Sequence, residues 1–373
     1  MKYGLIAHFK TQNIGDDIQC YAMQRFLPHL DYLIDREHLD SFYTQTGEQV
    51  AAFLGGWYLH RPLNWPPSPF LKLLPLAFHL SISDKKGLLA LTYYGADWFK
   101  KFPAIGCRDE GSAEFLKNYG ISAYLSGCFT LTLEPFPDVE HHGKIVAVDL
   151  PNEVVEFIKR KTNKDIFITS HSLSQIQLPQ EVLDFVEEHN PKVIVPTSHY
   201  PAQPDTPHAK VRYPGNWSYR HTLVEGLLRF YQGASLVVTS RLHVALPCLA
   251  LGTPILLVLD SKRINAYRFY TFMPYVNHTT PEALLSKNYL FNFNEPEVNP
   301  VGYEKFPELI KAAAKAFIDS CENDNVMPSV DVETWLDGYK KNLRLKKIIQ
   351  RLVLKPKDET PLPENPDIYK YNF

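Results

Sequence analysis

Short apolar runs alternate with helix-spaced apolar patterns along this chain, and they do so in two separate series. Such alternation implies strands that return through helices to parallel neighbours, with right-handed crossovers. In the first series, residues 3–9 read as a strand, and Ile18, Ala22, Phe26 and Leu27 recur at the spacing of a helix capped by Asp16 or Asp17. Apolar residues 50–54 follow, then an irregular Trp- and Pro-rich stretch, a strand at 104–107, a helix from Ser112 that Gly120 stops, and a strand at 121–125. Past Pro135 and Pro137 the second series predicts strands at 144–150, 165–170, 192–197, 235–239 and 254–259. Helices starting at Asn152, Pro179 and Ser218 fall between them. A chain of 373 residues also exceeds what one hydrophobic core organises. The expected fold class is α/β, with two doubly wound (Rossmann-like) domains facing across a cleft. Residues 1–137 and 143–295 form these domains, 300–355 are helices packing back over them, and 356–373 are a loosely held tail.

A net charge of -2 excludes bulk nucleic-acid binding, which needs a broad positive surface. Any anion site must be local. The five cysteines are widely spaced and odd in number, which points to a reducing cytoplasm rather than to disulfides or zinc. His141, His142 and His171 have no carboxylate or Cys companions at metal-ligand spacing, so they read as linker and loop residues, and no metal is expected. The N-terminus has no secretory core, and the apolar run 70–82 is broken by Lys72, Pro75 and His79, so no membrane span is expected. Residues 340–357 form a basic amphipathic helix, which suits either covering a domain or peripheral contact with the inner face of an anionic membrane.

In open parallel sheets, ligands bind beyond the carboxyl ends of the strands. Ser240-Arg241-Leu242-His243 stands at such an end, directly after an apolar strand and before a helix. Unpaired N–H groups of that turn, a guanidinium fork and an imidazole make it either a candidate site for binding an anion and exchanging a proton, the reading its position favours, or a turn in which Arg241 pairs with a buried carboxylate and His243 caps its helix. Lys262 and Arg263 follow the next strand and either add charge to the same anion or form a solvated surface pair. The other strand-end loop carries Asn13, Gly15, Asp16, Asp17 and Gln19. Two carboxylates at a helix start repel phosphate but suit hydroxyls, so this loop reads as a polyol site or as an ordinary capped turn. Trp57, Trp65, Tyr213 and Trp217 either stack on sugars or anchor loops.

Taken together, Asn13-x-Gly15-Asp16 with Gln19 and Ala22, Arg108-Asp109 with Ser112, Leu116 and Gly120, and Ser240-Arg241-Leu242-His243 with Ala245, Ala250, Leu251, Gly252, Thr253 and Pro254 resemble the polysaccharide pyruvyl transferase family. The match spans nearly all of both series, in the family's order. The resemblance implies a glycosyltransferase-B-like fold and transfer of pyruvate from phosphoenolpyruvate to two hydroxyls of a sugar as a cyclic ketal. It makes the N-terminal domain the acceptor side and the second domain the donor side. His243, Arg241 and Asp16 are then the catalytic candidates; Arg241, His243, Lys262, Ser240 and Arg108 bind the donor; Asn13, Asp16, Asp17 and Gln19 face the glycan or lipid-linked oligosaccharide acceptor. No cofactor is required, since phosphoenolpyruvate is a substrate. Ser126-Gly127-Cys128 departs from the Asp-Pro pair that many relatives carry there. Two rival readings are a sugar-nucleotide-dependent glycosyltransferase and a catalytically inactive glycan-binding relative.

Overall fold

A computed structural model describes residues 1–58, 65–80, 95–189, 217–260, 267–286, 289–323 and 329–353. The chain forms two compact units: Met1–His8, Gln24–Leu125 and Ala312–Phe373 make one, and Phe9–Met23 with Ser126–Lys311 make the other.

The first unit contains β1 (Lys2–Ala7), β2 (Tyr32–Asp35), β3 (Val50–Phe53), β4 (Gly56–Tyr58), β5 (Leu71–Leu74), β6 (Phe78–Leu80), β7 (Ile105–Cys107) and β8 (Ala123–Leu125). They pair in parallel as β2-β1-β3-β5 and β4-β6-β7-β8. Between these sheets β3 leads into β4 and β5 into β6, with Gly56 (φ 113) and Ala77 (φ 56) at the bends, where the Gly56 N–H donates to the Ala77 carbonyl at 3.1 Å. Aromatic packing fills the core: Phe78 stacks on Tyr58 at 5.4 Å and Trp65 on Phe99 at 5.4 Å.

The second unit holds β9 (Ile145–Val148), β10 (Ile166–Thr169), β11 (Leu236–Thr239), β12 (Ile255–Val258) and β13 (Asn277–Thr279), all parallel, in the order β10-β9-β11-β12-β13. β9, β11 and β12 are buried along their whole length, which explains why they are apolar almost throughout, with only Thr239 polar. The longer helices are α1 (Ile14–Gln24), α2 (Glu110–Asn118), α3 (Asn152–Lys159), α4 (Gln180–His189), α5 (Trp217–Gln232), α6 (Leu242–Leu251), α7 (Lys305–Asn323) and α8 (Val332–Val353). The α/β class with parallel sheets is therefore as expected.

Several local expectations need correction. Asp16 and Asp17 lie inside the first turn of α1, and the Asn13 side chain accepts the Gly15 N–H instead. α2 starts at Glu110 rather than at Ser112, and Asp109 caps it by accepting the Ser112 N–H. β2, β4, β5, β6 and β13 are additional strands, and β4 falls inside the stretch expected to be irregular. Segment Phe9–Met23 groups with the second unit, not the first as expected, because it is tied there by a buried ion pair and a β-bridge described below. The strand expected at 192–197 and the tail at 356–373 lie outside the described residues. No described helix is long and apolar enough to cross a membrane. In α8, Tyr339 and Leu343 are buried and Lys346 pairs with Asp40, so this part covers the first unit.

Candidate functional site

The site sits where the strand order in the second unit's sheet reverses. From β9 the chain goes to β10 on one side, and β11 lies on the other, so the carboxyl ends of β9 and β11 flank a topological switch point.

β11 delivers Ser240 and Arg241, and Arg241 is the extended N-cap of α6, its carbonyl accepting the N–H groups of Val244 and Ala245. Four residues after His243 stands Pro247, which lacks the N–H that the His243 carbonyl would accept in a regular helix. His243 accordingly has φ −84 and ψ 19, outside helical values, and the first turn of α6 is loosened at the residue that carries the imidazole. Gly252, at φ 78, ends the helix.

β9 delivers Asp149, whose φ of 54 is left-handed and turns its carboxylate back over the sheet end. That carboxylate accepts the Ser170 hydroxyl at 2.6 Å, the His171 N–H at 3.0 Å and Arg241 Nε at 2.7 Å. Burial pushes the Asp149 pKa up, but the two hydrogen bonds and the Arg241 charge outweigh it and hold the group below the usual carboxylate range. Ser240 Oγ donates to the Asp149 carbonyl at 2.7 Å, tying the two strand ends together. Among the described residues the two terminal nitrogens of Arg241 have no hydrogen-bond partner. Its side chain is 31% exposed and lines a cleft of about 390 Å³ with Asp149, Leu150, Pro151, Ser240 and Val258. A guanidinium held at Nε and open at its other edge is arranged for a carboxylate or phosphate.

The start of α1 closes against this turn. A Cβ on Gly15 would stand 3.0 Å from the His243 Cβ, tighter than ordinary contact, so glycine lets the two backbones approach without displacing the histidine. Asn13 bridges to Ser172, the Ile14 N–H donates to the His171 carbonyl at 3.0 Å, and Thr11 Oγ1 donates to Asp16. Asn13 and Asp16 stay partly exposed; Asp17 and Gln19 do not. Asp17 is locked by Arg220, with Nε–Oδ2 at 3.1 Å and a second bond from the guanidinium to Oδ1, and Gln19 Nε2 donates back to the Gly15 carbonyl at 3.4 Å. Two of the four expected acceptor residues are thus spent inside the protein.

Arg108 belongs to the first unit and is 1% exposed. It borders a buried network in which Asp109 bonds His79 Nδ1 at 2.6 Å and accepts the Ser112 hydroxyl at 2.9 Å. Burial raises the Asp109 pKa, and the His79 and Arg108 charges more than reverse it. Lys262, together with Arg263 and Tyr213, lies outside the described residues. Trp65 and Trp217 are core residues at 3% and 2% exposure, which removes them as sugar platforms. At Ser126-Gly127-Cys128, Gly127 has φ 81 and a Cβ there would come 2.7 Å from the Phe306 Cβ, so packing accounts for this glycine.

Asp149, Ser170, His171 and Tyr231 were not anticipated. His171 is 1% exposed, bonds the Tyr231 hydroxyl through Nε2 at 2.9 Å, and leaves Nδ1 without a hydrogen-bond partner among the described residues. Burial chiefly, aided by the nearby Arg241, lowers its pKa to about 3, against the pull of Asp149 and Asp16. The available signal was polar residues placed directly after the apolar runs of β9 and β10.

The model of the family described as polysaccharide pyruvyl transferase matches residues 13–261. No curated protein matches the chain. Among solved structures, a functionally uncharacterised protein from Klebsiella pneumoniae subsp. pneumoniae NTUH-K2044 is 13% identical, with 75% of this chain and 93% of that one covered and a TM-score of 0.37. A candidate UDP-N-acetylglucosamine 2-epimerase from Listeria monocytogenes is 11% identical, with 98% and 99% covered and a TM-score of 0.36. The wall teichoic acid polymerase TagF is 10% identical, with 94% and 88% covered and a TM-score of 0.33.

Proposed function

Because this chain belongs to the polysaccharide pyruvyl transferase family, we propose that it moves pyruvate from phosphoenolpyruvate onto two hydroxyls of a glycan sugar as a cyclic ketal, in polysaccharide or cell-surface glycan synthesis. One observation carries the reading: Arg241, His243 and the first turn of α1 with Asp16 gather at a single strand end beside an open cleft.

Arg241 binds the donor's carboxylate or phosphate through its open edge. His243 protonates the methylene carbon of the enol phosphate, making the central carbon electrophilic and turning the methylene into a methyl group. A sugar hydroxyl adds to that carbon and loses its proton to Asp16. Phosphate then leaves with the carbon–oxygen bond electrons as the second hydroxyl closes the ring, and the second hydroxyl proton leaves with phosphate or solvent. The products are the ketal and inorganic phosphate, and the α1 loop orients the acceptor through Asn13 and Asp16.

The test is incubation with phosphoenolpyruvate and a panel of galactose-, glucose- and mannose-containing acceptors, following phosphate release and acceptor mass. His243→Ala should lower turnover by about 10²-fold or more, the usual contribution of a general acid. Arg241→Lys should raise the KM for phosphoenolpyruvate, because a point charge replaces a bidentate fork. Stabilisation by a nucleotide sugar and none by phosphoenolpyruvate would instead assign a sugar-nucleotide-dependent glycosyltransferase, and sugar binding without phosphate release an inactive relative.

A further inference from the structure

Arg241 is the group that the proposed reaction asks to meet an anion, yet it starts from an ion pair with Asp149. A carboxylate beside an anion site ordinarily weakens it. Here three features make Asp149 an integral part of the site.

Its contacts are directional. Asp149 takes Nε only, at 2.7 Å, and not the two terminal nitrogens, so the guanidinium plane is fixed while its outer edge stays open to the cleft. Its own position is over-determined: its carboxylate accepts from Ser170 and His171, its carbonyl from Ser240, and its N–H donates to the Thr169 carbonyl at 3.1 Å. Finally, its backbone holds a left-handed conformation that L side chains rarely adopt, and this turns the carboxylate towards both neighbouring strand ends.

Resting on the donor reading of Arg241, we propose that Asp149 is the positioning residue for the donor site. It orients the Arg241 guanidinium, and Ser170 fixes Asp149 in turn. Asp149 acts through Arg241 and sets the direction from which the anion is met. Removing it leaves the charge of Arg241 in place but lets the fork rotate, so donor affinity falls although the local net charge has become more positive.

The experiment is a double-mutant cycle on phosphoenolpyruvate binding, by calorimetry, using the full chain and the variants Asp149→Asn, Arg241→Ala and the pair. Asp149→Asn is expected to weaken binding about tenfold in the wild-type background and to have no effect on the residual binding of Arg241→Ala, because its action runs through the arginine. A purely structural role predicts an equal loss in both backgrounds, and unchanged or tighter binding by Asp149→Asn would also overturn the proposal. Should Asp149→Asn fail to fold, as judged by circular dichroism, Ser170→Ala serves instead. It removes one hydroxyl without changing charge, and is expected to weaken binding about threefold only while Arg241 is present; unaltered affinity would again overturn the proposal. Wild-type protein that fails to bind phosphoenolpyruvate would remove the donor reading and this inference together. Wild-type binding with indifferent variants would remove the inference alone.

Discussion

A buried histidine with no hydrogen bond at Nδ1 among the described residues is held neutral, and His171 is in that position. Its folded pKa, at about 3, lies below the unfolded value of about 6.5. Between those limits the unfolded chain binds the extra proton, so stability falls as pH drops through 6.5 and the loss is complete only near 3. His142 and His221 are lowered by burial as well and share this arm, whereas the stability contributed by the lowered carboxylates Asp149 and Asp109 is lost only as pH falls below about 4. Thermal melts between pH 7 and 4.5 should therefore show wild-type stability falling more steeply than that of His171→Gln. Parallel slopes would show that His171 is not held neutral. Arg241 and His243 were legible in the sequence because they share one strand end. Asp149 and His171 were not, since their companionship depends on which strands are neighbours, and strand order is not written in local pattern.

At the level of elements, two helices owe their placement to features that sequence spacing describes only in part. Pro247 sits inside α6, and its consequence, the loosened turn at His243, appears only with the helix boundaries. Gly15 read as an ordinary turn glycine, whereas its role is contact with another helix. Gly15→Ala should therefore push His243 away, costing about 1–3 kcal/mol through overpacking and reducing turnover more than it reduces acceptor binding; wild-type kinetics in this variant would contradict the packing argument. α1 is held to α5 by the buried Asp17–Arg220 pair, at 3% and 2% exposure, with the Arg220 guanidinium also over the Trp217 ring at 5.2 Å. Burial opposes the Arg220 charge, and Asp17 more than restores it, raising the pKa. Arg220→Met strands a buried carboxylate and should destabilise by about 3–5 kcal/mol in chemical denaturation, and adding Asp17→Leu should recover most of the loss. Additive losses in the double variant would show that the two residues act independently.

For the molecule as a whole, the twofold strand–helix alternation was enough to announce two parallel α/β units, because apolar runs that short can be buried only in sheets covered on both faces. It could not show that the chain leaves the first unit after His8 and returns at Gln24, since residues 9–23 continue the first series in pattern while packing with the second. What they supply there is specific. Asp17 neutralises Arg220, the Ile14 N–H fills the His171 carbonyl, and the Gln12 carbonyl accepts the Leu173 N–H at 3.0 Å. The stretch 126–311 is accordingly an incomplete unit, with a buried cation and an open strand end where α1 belongs. Expressed alone, it should be less stable by about 3 kcal/mol or more, the penalty for an uncompensated buried charge. A synthetic peptide of residues 9–24 should restore a cooperative thermal transition, and the same peptide carrying Asp17→Asn should not. A fragment that melts cooperatively without the peptide, at a temperature the peptide does not shift, would mean that α1 is an appendage to the second unit and that the acidic turn beside His243 is not held in place by Arg220.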